Sequence, residues 1–257
     1  MNVYPAYRIV YVAEALTQCK IGSVGADKKG PEGQAYIVKW LGEMDAGLKY
    51  LGLEMTRVYA ERLRGGVSNA VEEDKLVDEL IILTQRFRDE LQGIHFFYVP
   101  PDKLRYYNKT NLFGDEFKTK FPQANGEIIE AGNCFAFDRF TSCVFHLMRA
   151  TEISLRVLFV SLGLPPRIWS TTKWKNICDR IEGKIEKNNK TLANDPAWQK
   201  DRTFYESASA FVAAVRAPMR NATMHVESIY DEPGAENVFD AVKSFMRHLA
   251  TKLKETP

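Results

Sequence analysis

From Gln34 to Leu63, apolar residues recur at Tyr36, Trp40, Met44, Leu48, Leu51, Met55 and Val58. Steps of three and four put them on one face, so the stretch predicts one long amphipathic helix. Gly65-Gly66 is expected to end it, because glycine readily takes the left-handed conformation that closes helices. The same period returns from Glu73 to Ile94 at Leu76, Leu80, Leu83, Phe87, Leu91 and Ile94. A short Gly/Ser/Asn connection separates the two, which predicts an antiparallel helical hairpin over residues 1–95. Val99-Pro100-Pro101-Asp102 then stops the helical pattern. Residues 96–126 are aromatic and basic (Phe96, Phe97, Tyr98, Tyr106, Tyr107, Phe113, Phe117 and Phe121 among Lys103, Arg105, Lys109, Lys118 and Lys120). They predict an ordered connector with a short helix near Asp115, its rings packed onto a bundle rather than offered to nucleic-acid bases.

A second helical block covers residues 127–257. From Glu127 to Leu162 the apolar set is Ile128, Ala131, Phe137, Phe140, Val144, Leu147, Leu155, Leu158 and Leu162, ended by Gly163 and Pro165-Pro166. A shorter helix is predicted over Lys173 to Lys187, then a polar loop from Asn188 to Asp195. The next helix starts near Trp198 and is expected to kink or restart at Pro218, which removes a hydrogen bond and clashes one turn back. The last runs from Ala235 to Leu253. With no strand pattern and no internal repeat, the fold class is all-α: an N-terminal long-helix hairpin, then a helical bundle.

The chain has 257 residues, 45% hydrophobic and 26% charged, with net charge +2. This is globular composition without a global basic field, so any nucleic-acid contact has to come from a local patch. Met1 to Ile21 lacks the order of a secretory signal. The longest apolar run, Leu155 to Leu164, carries Arg156 and Ser161 and falls short of the ~18 residues that mark a membrane span. A cytoplasmic location away from membranes is expected, where the N-x-T triplets at Asn108, Asn189 and Asn221 are chance matches. Cys19, Cys134, Cys143 and Cys178 form no paired motif and read as small apolar side chains.

Chemistry concentrates in Arg220-Asn221-Ala222-Thr223-Met224-His225. Asn221 and His225 are four apart and would share a helix face; Arg220 can curl to the same spot and Arg216 extends the cationic strip. Arg grips phosphate and His moves a proton near neutral pH. Together they suit attack of a ribose 2′-hydroxyl on its own phosphate, with His225 as acid or base, Arg220 as charge clamp and Asn221 as orienter. No metal or other cofactor is implied. One helix supplies one His, and the reaction is easier with two proton-transfer groups, so the motif argues for a homodimer. An Arg-x4-His spacing also arises by chance in surface and cap contacts. A polar strip at Ser142, His146, Arg149, Glu152 and Arg156 has two readings: Arg149 and Glu152 support RNA binding or orient His225, or the strip is a salt-bridged face with a Glu152–Arg156 pair. His95 and His248 stand alone and read as structural or surface residues. Cys143 and His146 lack a second ligand pair for zinc, and there is no Walker loop or nucleophile elbow.

Arg220-Asn221 followed by His225, in an all-α setting before a final helix, resembles the HEPN superfamily over about residues 127–254. The segments Cys134 to Thr141, Phe145 to Glu152, and Phe96-Phe97-Tyr98-Val99-Pro100-Pro101 are similar to a group of uncharacterised bacterial HEPN-like proteins. The resemblance implies a metal-independent endoribonuclease of a toxin–antitoxin or antiviral defence system. Such a protein dimerises so that two motifs form one site, and it has RNA and an antitoxin or defence protein as partners. It equally implies an alternative, since some members are non-catalytic RNA- or nucleotide-binding or adaptor modules. Some toxin relatives carry a Tyr two positions after the His; this chain has Glu227 there and its nearest Tyr is Tyr230, so regulation through that Tyr does not carry over.

Overall fold

The computed structural model describes residues 7–24, 31–67, 73–166, 174–220 and 229–255. Helices, turns and short irregular segments account for all of them, and no strand occurs among the described residues. The fold is all-α. None of these helices is long and apolar enough to cross a membrane. The chain divides into two compact units, residues 1–97 and 98–257.

Unit 1 holds α1 (Tyr7–Val24), α2 (Pro31–Glu43), α3 (Asp45–Leu51), α4 (Glu54–Val67) and α5 (Glu73–Gln92). The single helix expected over 34–63 is three. Gly52 has φ 73° and its N–H bonds back to the Leu48 and Lys49 carbonyls, a left-handed close that ends α3. Apolar spacing hides the breaks because Met44, Leu48, Leu51 and Leu53 stay buried on both sides of them. Beyond Gly52 the face shifts. Thr56, Ala60, Leu63 and Val67 turn inward, while Met55 is 64% exposed. Gly65 and Gly66 do not end α4; it runs on to the fully buried Val67. The α4–α5 pair is antiparallel. Near its open end the Glu90 carboxylate accepts the N–H groups of Met55 (3.0 Å) and Thr56 (2.6 Å), satisfying donors that α4 cannot pair internally. Helix α1, absent from the sequence expectation, inserts Val12, Ala15, Leu16 and Cys19 into the same core. Burial pushes the Cys19 thiol up to about 12, consistent with an inert packed sulfur.

Unit 2 holds α6 (Asp115–Lys120), α7 (Pro122–Ala136), α8 (Phe140–Ser161), α9 (Trp174–Thr191), α10 (Pro196–Arg220) and α11 (Glu232–Ala250). The aromatic stretch divides: Phe113, Phe117 and Phe121 are core residues and Tyr106 packs on Phe135 and Phe239. Phe96, Phe97 and Tyr98 at its start are exposed, so for these three rings the expected packing does not occur. The block expected over 127–162 is a hairpin of α7 and α8, turned through Asp138 at φ 58°. Helix α9 continues past the expected loop start at Asn188 as far as Thr191. Asp195 then caps α10, accepting from Ala197 (2.8 Å) and Trp198 (3.2 Å) N–H groups. Helix α10 is not broken at Pro218. It continues to Arg220, with buried Val212 and Val215 anchoring the turns before the proline.

Three packed helices set the polarity of this unit. His248 Nε2 lies 2.9 Å from the Phe204 carbonyl and Lys252 pairs with Asp201, so α10 and α11 are antiparallel. The Tyr205 hydroxyl reaches the Ser161 carbonyl at 3.5 Å, setting the first half of α10 beside the end of α8. At the other end, the Tyr230 N–H donates to Thr141 Oγ1 (3.0 Å), which ties the start of α11 to the start of α8.

Candidate functional site

The sixteen residues from Phe204 to Arg220 and the sixteen from His248 back to Glu232 each rise about 24 Å. The last turn of α10 therefore comes level with the first turn of α11, at the end of the bundle where α8 begins. Arg216 and Arg220 belong to the last two turns of α10. Asn221 and His225 lie outside the described residues. What is on view of the motif is its flanks: α10 leads into it, and Tyr230, fixed to Thr141, leads out.

That end of the bundle is held by charge. Lys103 is nearly buried, its Nζ paired with Asp138 in the α7–α8 turn and 3.2 Å from Glu232 at the start of α11. It also lies 5.1 Å from the Phe140 ring centre. The hydrogen bond it donates to Asp138 raises the ammonium above its ordinary value against burial, with Glu232 adding to it. Asp231 caps α11 by accepting the Gly234 N–H at 2.9 Å.

About 8 Å along α8 from Thr141, at 1.5 Å per residue, stands a second polar group. Glu127 of α7 faces α8 and is 17% exposed. Its Oε2 lies 2.8 Å from His146 Nδ1, and its Oε1 accepts from Arg149 Nε (2.9 Å) and Nη2 (2.8 Å). Burial works to raise the Glu127 carboxyl, but hydrogen bonds from Arg149 and then His146 hold it below the ordinary carboxylate value. A carboxylate only accepts, so the hydrogen of His146 sits on Nδ1. Further along, Arg156 Nη2 pairs with Glu152 Oε1 at 2.6 Å. Along the polar strip of α8, His146 and Arg149 share Glu127, while Glu152 pairs with Arg156 and its charge also acts on Arg149. Ser142 is exposed.

The spacing along α8 could not reveal Glu127, because its partners are on another helix and periodicity carries no information across a turn. The other described histidines, His95 and His248, differ from His146. His248 stacks on Phe204 at 4.7 Å with its Nε2 on a carbonyl, and His95 is exposed. The cysteines among the described residues are free thiols, Cys143 fully buried and its pKa raised by burial. A cavity of about 460 Å³ lies at the far end of α8, between Ile153, Val157 and Val160 and the segment Lys252–Glu255. It is remote from Thr141. Among the described residues, no three His, Cys, Asp or Glu side chains converge as metal ligands.

Comparison with protein-family models, with curated proteins and with solved structures finds no match.

Proposed function

We propose that this protein is a HEPN-like, metal-independent endoribonuclease. The observation that carries the reading is the string Arg220-Asn221-x3-His225, which begins where α10 ends and precedes α11 in an all-α unit. In the proposed reaction the ribose 2′-oxygen bonds to phosphorus and the bond from phosphorus to the 5′-oxygen breaks. His225 accepts the 2′-hydroxyl proton or delivers one to the leaving oxygen. Arg220 stabilises the charge that builds on the phosphoryl oxygens, Asn221 orients the group, and Arg216 adds positive charge along the approach. The products are a 2′,3′-cyclic phosphate and a 5′-hydroxyl.

The second proton-transfer group comes, in this proposal, from a second copy of the chain, whose motif completes the site across a two-fold axis. The biological setting proposed is a cytoplasmic toxin or antiviral defence system with an antitoxin or partner protein. Arg149 and Glu152 are assigned supporting roles near the RNA.

Labelled RNA incubated with the protein in EDTA tests this. Wild type is expected to yield cyclic phosphate ends, and Arg220→Ala or His225→Ala to lose at least about 100-fold in rate with an unchanged circular-dichroism spectrum and oligomer size. Equal cleavage by wild type and His225→Ala removes the claim; binding without cleavage by wild type turns it to a non-catalytic adaptor.

A further inference from the structure

We propose that Glu127, His146 and Arg149 form a contact that distinguishes RNA from DNA, with His146 Nε2 accepting a ribose 2′-hydroxyl and Arg149 holding the neighbouring phosphate. The proposal rests on the RNA reading above and adds to it a recognition site outside the Arg-x4-His string.

The geometry starts from one carboxylate. Glu127 fixes both partners, one on each oxygen, so their side chains lie next to each other on the surface formed by α7 and α8. His146 donates through Nδ1, which leaves Nε2 of the neutral ring as a lone-pair acceptor. That atom has no partner among the described residues and is not among their buried unsatisfied atoms. Arg149 is 56% exposed and uses Nε and Nη2 on Glu127; Nη1 has no partner among the described residues. Phe145 braces both, its ring centre 5.8 Å from the His146 ring and 5.8 Å from the guanidinium carbon.

An accessible acceptor beside an accessible guanidinium matches what a ribonucleotide presents and a deoxyribonucleotide lacks: a hydroxyl donor next to a phosphate. His248, by contrast, stacks on Phe204 and places its hydrogen-bonded nitrogen on a backbone carbonyl, inside the packing of α10 on α11. Here the carboxylate spends its bonds aiming two groups outward.

The test uses the full-length chain carrying His225→Ala, so that cleavage is silent, with labelled single-stranded RNA and DNA of one sequence in EDTA. His146→Asn keeps a donor toward Glu127 and removes Nε2. It is expected to weaken RNA binding about five- to tenfold and leave DNA binding unchanged. Arg149→Ala is expected to weaken both about tenfold and to lower the slope of log affinity against log salt by about one. Thermal melts identify a variant that has lost its fold, in which case His146→Ser and Arg149→Gln, which remove the acceptor and the charge respectively, replace it. If RNA and DNA respond alike to the His146 change, or Arg149→Ala leaves the salt slope unaltered, the proposal is overturned while cleavage by wild type keeps the nuclease reading. If the His225→Ala chain binds neither polymer, the proposal is overturned too. The RNA reading falls with it only where wild type also fails to cleave.

Discussion

In unit 1 the buried core is aliphatic apart from Phe87, whereas unit 2 buries Phe113, Phe117, Phe121, Phe135, Phe159, Trp198, Tyr205, Phe239 and Phe245. Their polar interiors differ in the same direction. Carboxylates that bridge helices in unit 1 mostly receive neutral donors. The Tyr11 hydroxyl bonds Glu43 (2.8 Å), the Tyr59 hydroxyl bonds Glu79, and two backbone amides bond Glu90. Arg57, by contrast, ties Glu54 to Asp45. In unit 2 Glu127, Asp138, Glu232 and Asp201 receive imidazole, guanidinium or ammonium groups, while Glu255 receives backbone amides, and at Glu127 both partners keep free valences. Three of the four histidines belong to unit 2, and the one in unit 1, His95, is exposed. A proton-transferring imidazole held by a partner therefore has to be sought in unit 2.

The largest effect expected comes from emptying the aromatic core. Phe117 is 1% exposed and stacks on Phe121 at 5.3 Å, so Phe117→Ala should cost about 3–5 kcal/mol. Leu80→Ala, at 1% exposure in unit 1, should cost about 2–5 kcal/mol. Calorimetry separates the two: each variant should move the transition of its own unit and leave the other in place. A single transition shifted equally by both variants would show one cooperative core and dissolve the comparison.

Next in size is Gly132→Ala. A Cβ there would sit 2.5 Å from Leu112 Cδ1 and 2.7 Å from the Tyr106 carbonyl oxygen. The side chain can give way but the backbone cannot easily do so, so about 1–3 kcal/mol should be lost in chemical denaturation. A neutral result would mean that the stretch before α6 is laid on α7 less tightly than its buried rings indicate.

These two sites mark what the sequence could and could not tell. The period of three and four identified α5 and the inner faces of α8 and α11, because a buried stripe on one helix is a local property. It missed the division of residues 34–63 at Gly52, where apolar residues on both sides serve one core and the spacing barely changes. It missed α1, whose buried set includes the small Ala15 and Cys19. At the candidate site, Arg149 and Glu152 were legible as a polar strip, but the acid that joins Arg149 to His146 comes from α7. The sequence also singled out Arg220, Asn221 and His225 for their chemistry. Asn221 and His225 lie outside the described residues.

A smaller effect compares one device used in both units. Glu90 caps α4 from α5. Glu255 caps α7 from beyond α11, accepting the Gln123 and Ala124 N–H groups at 2.9 and 3.0 Å. Each carboxylate meets the positive end of a helix macrodipole, so Glu90→Ala and Glu255→Ala should each cost about 1 kcal/mol. The Glu90 change should be the more costly, because the buried Thr56 also donates its hydroxyl to that carboxylate at 2.5 Å. Denaturant midpoints of the two variants decide the order, and a reversed order would show that the units do not differ in how deeply their caps are set.

The smallest effect probes Glu127 itself. Its carboxyl is held below the ordinary value of 4.5 in the folded protein. A depressed acid contributes stability above the unfolded-state value, and that contribution fades as pH falls through the folded one. Arg149 is more than half exposed, so screening limits the contribution to about 1 kcal/mol or less. The gap in melting temperature between wild type and Glu127→Gln should be present just above pH 4.5 and close below it. A loss several times larger, close to that of Phe117→Ala, would make the cluster a staple like the Tyr59–Glu79 pair. A slight loss fits a carboxylate whose main work is to aim two neighbours at solvent: the fold barely needs it, and its removal should be felt in what His146 and Arg149 can hold.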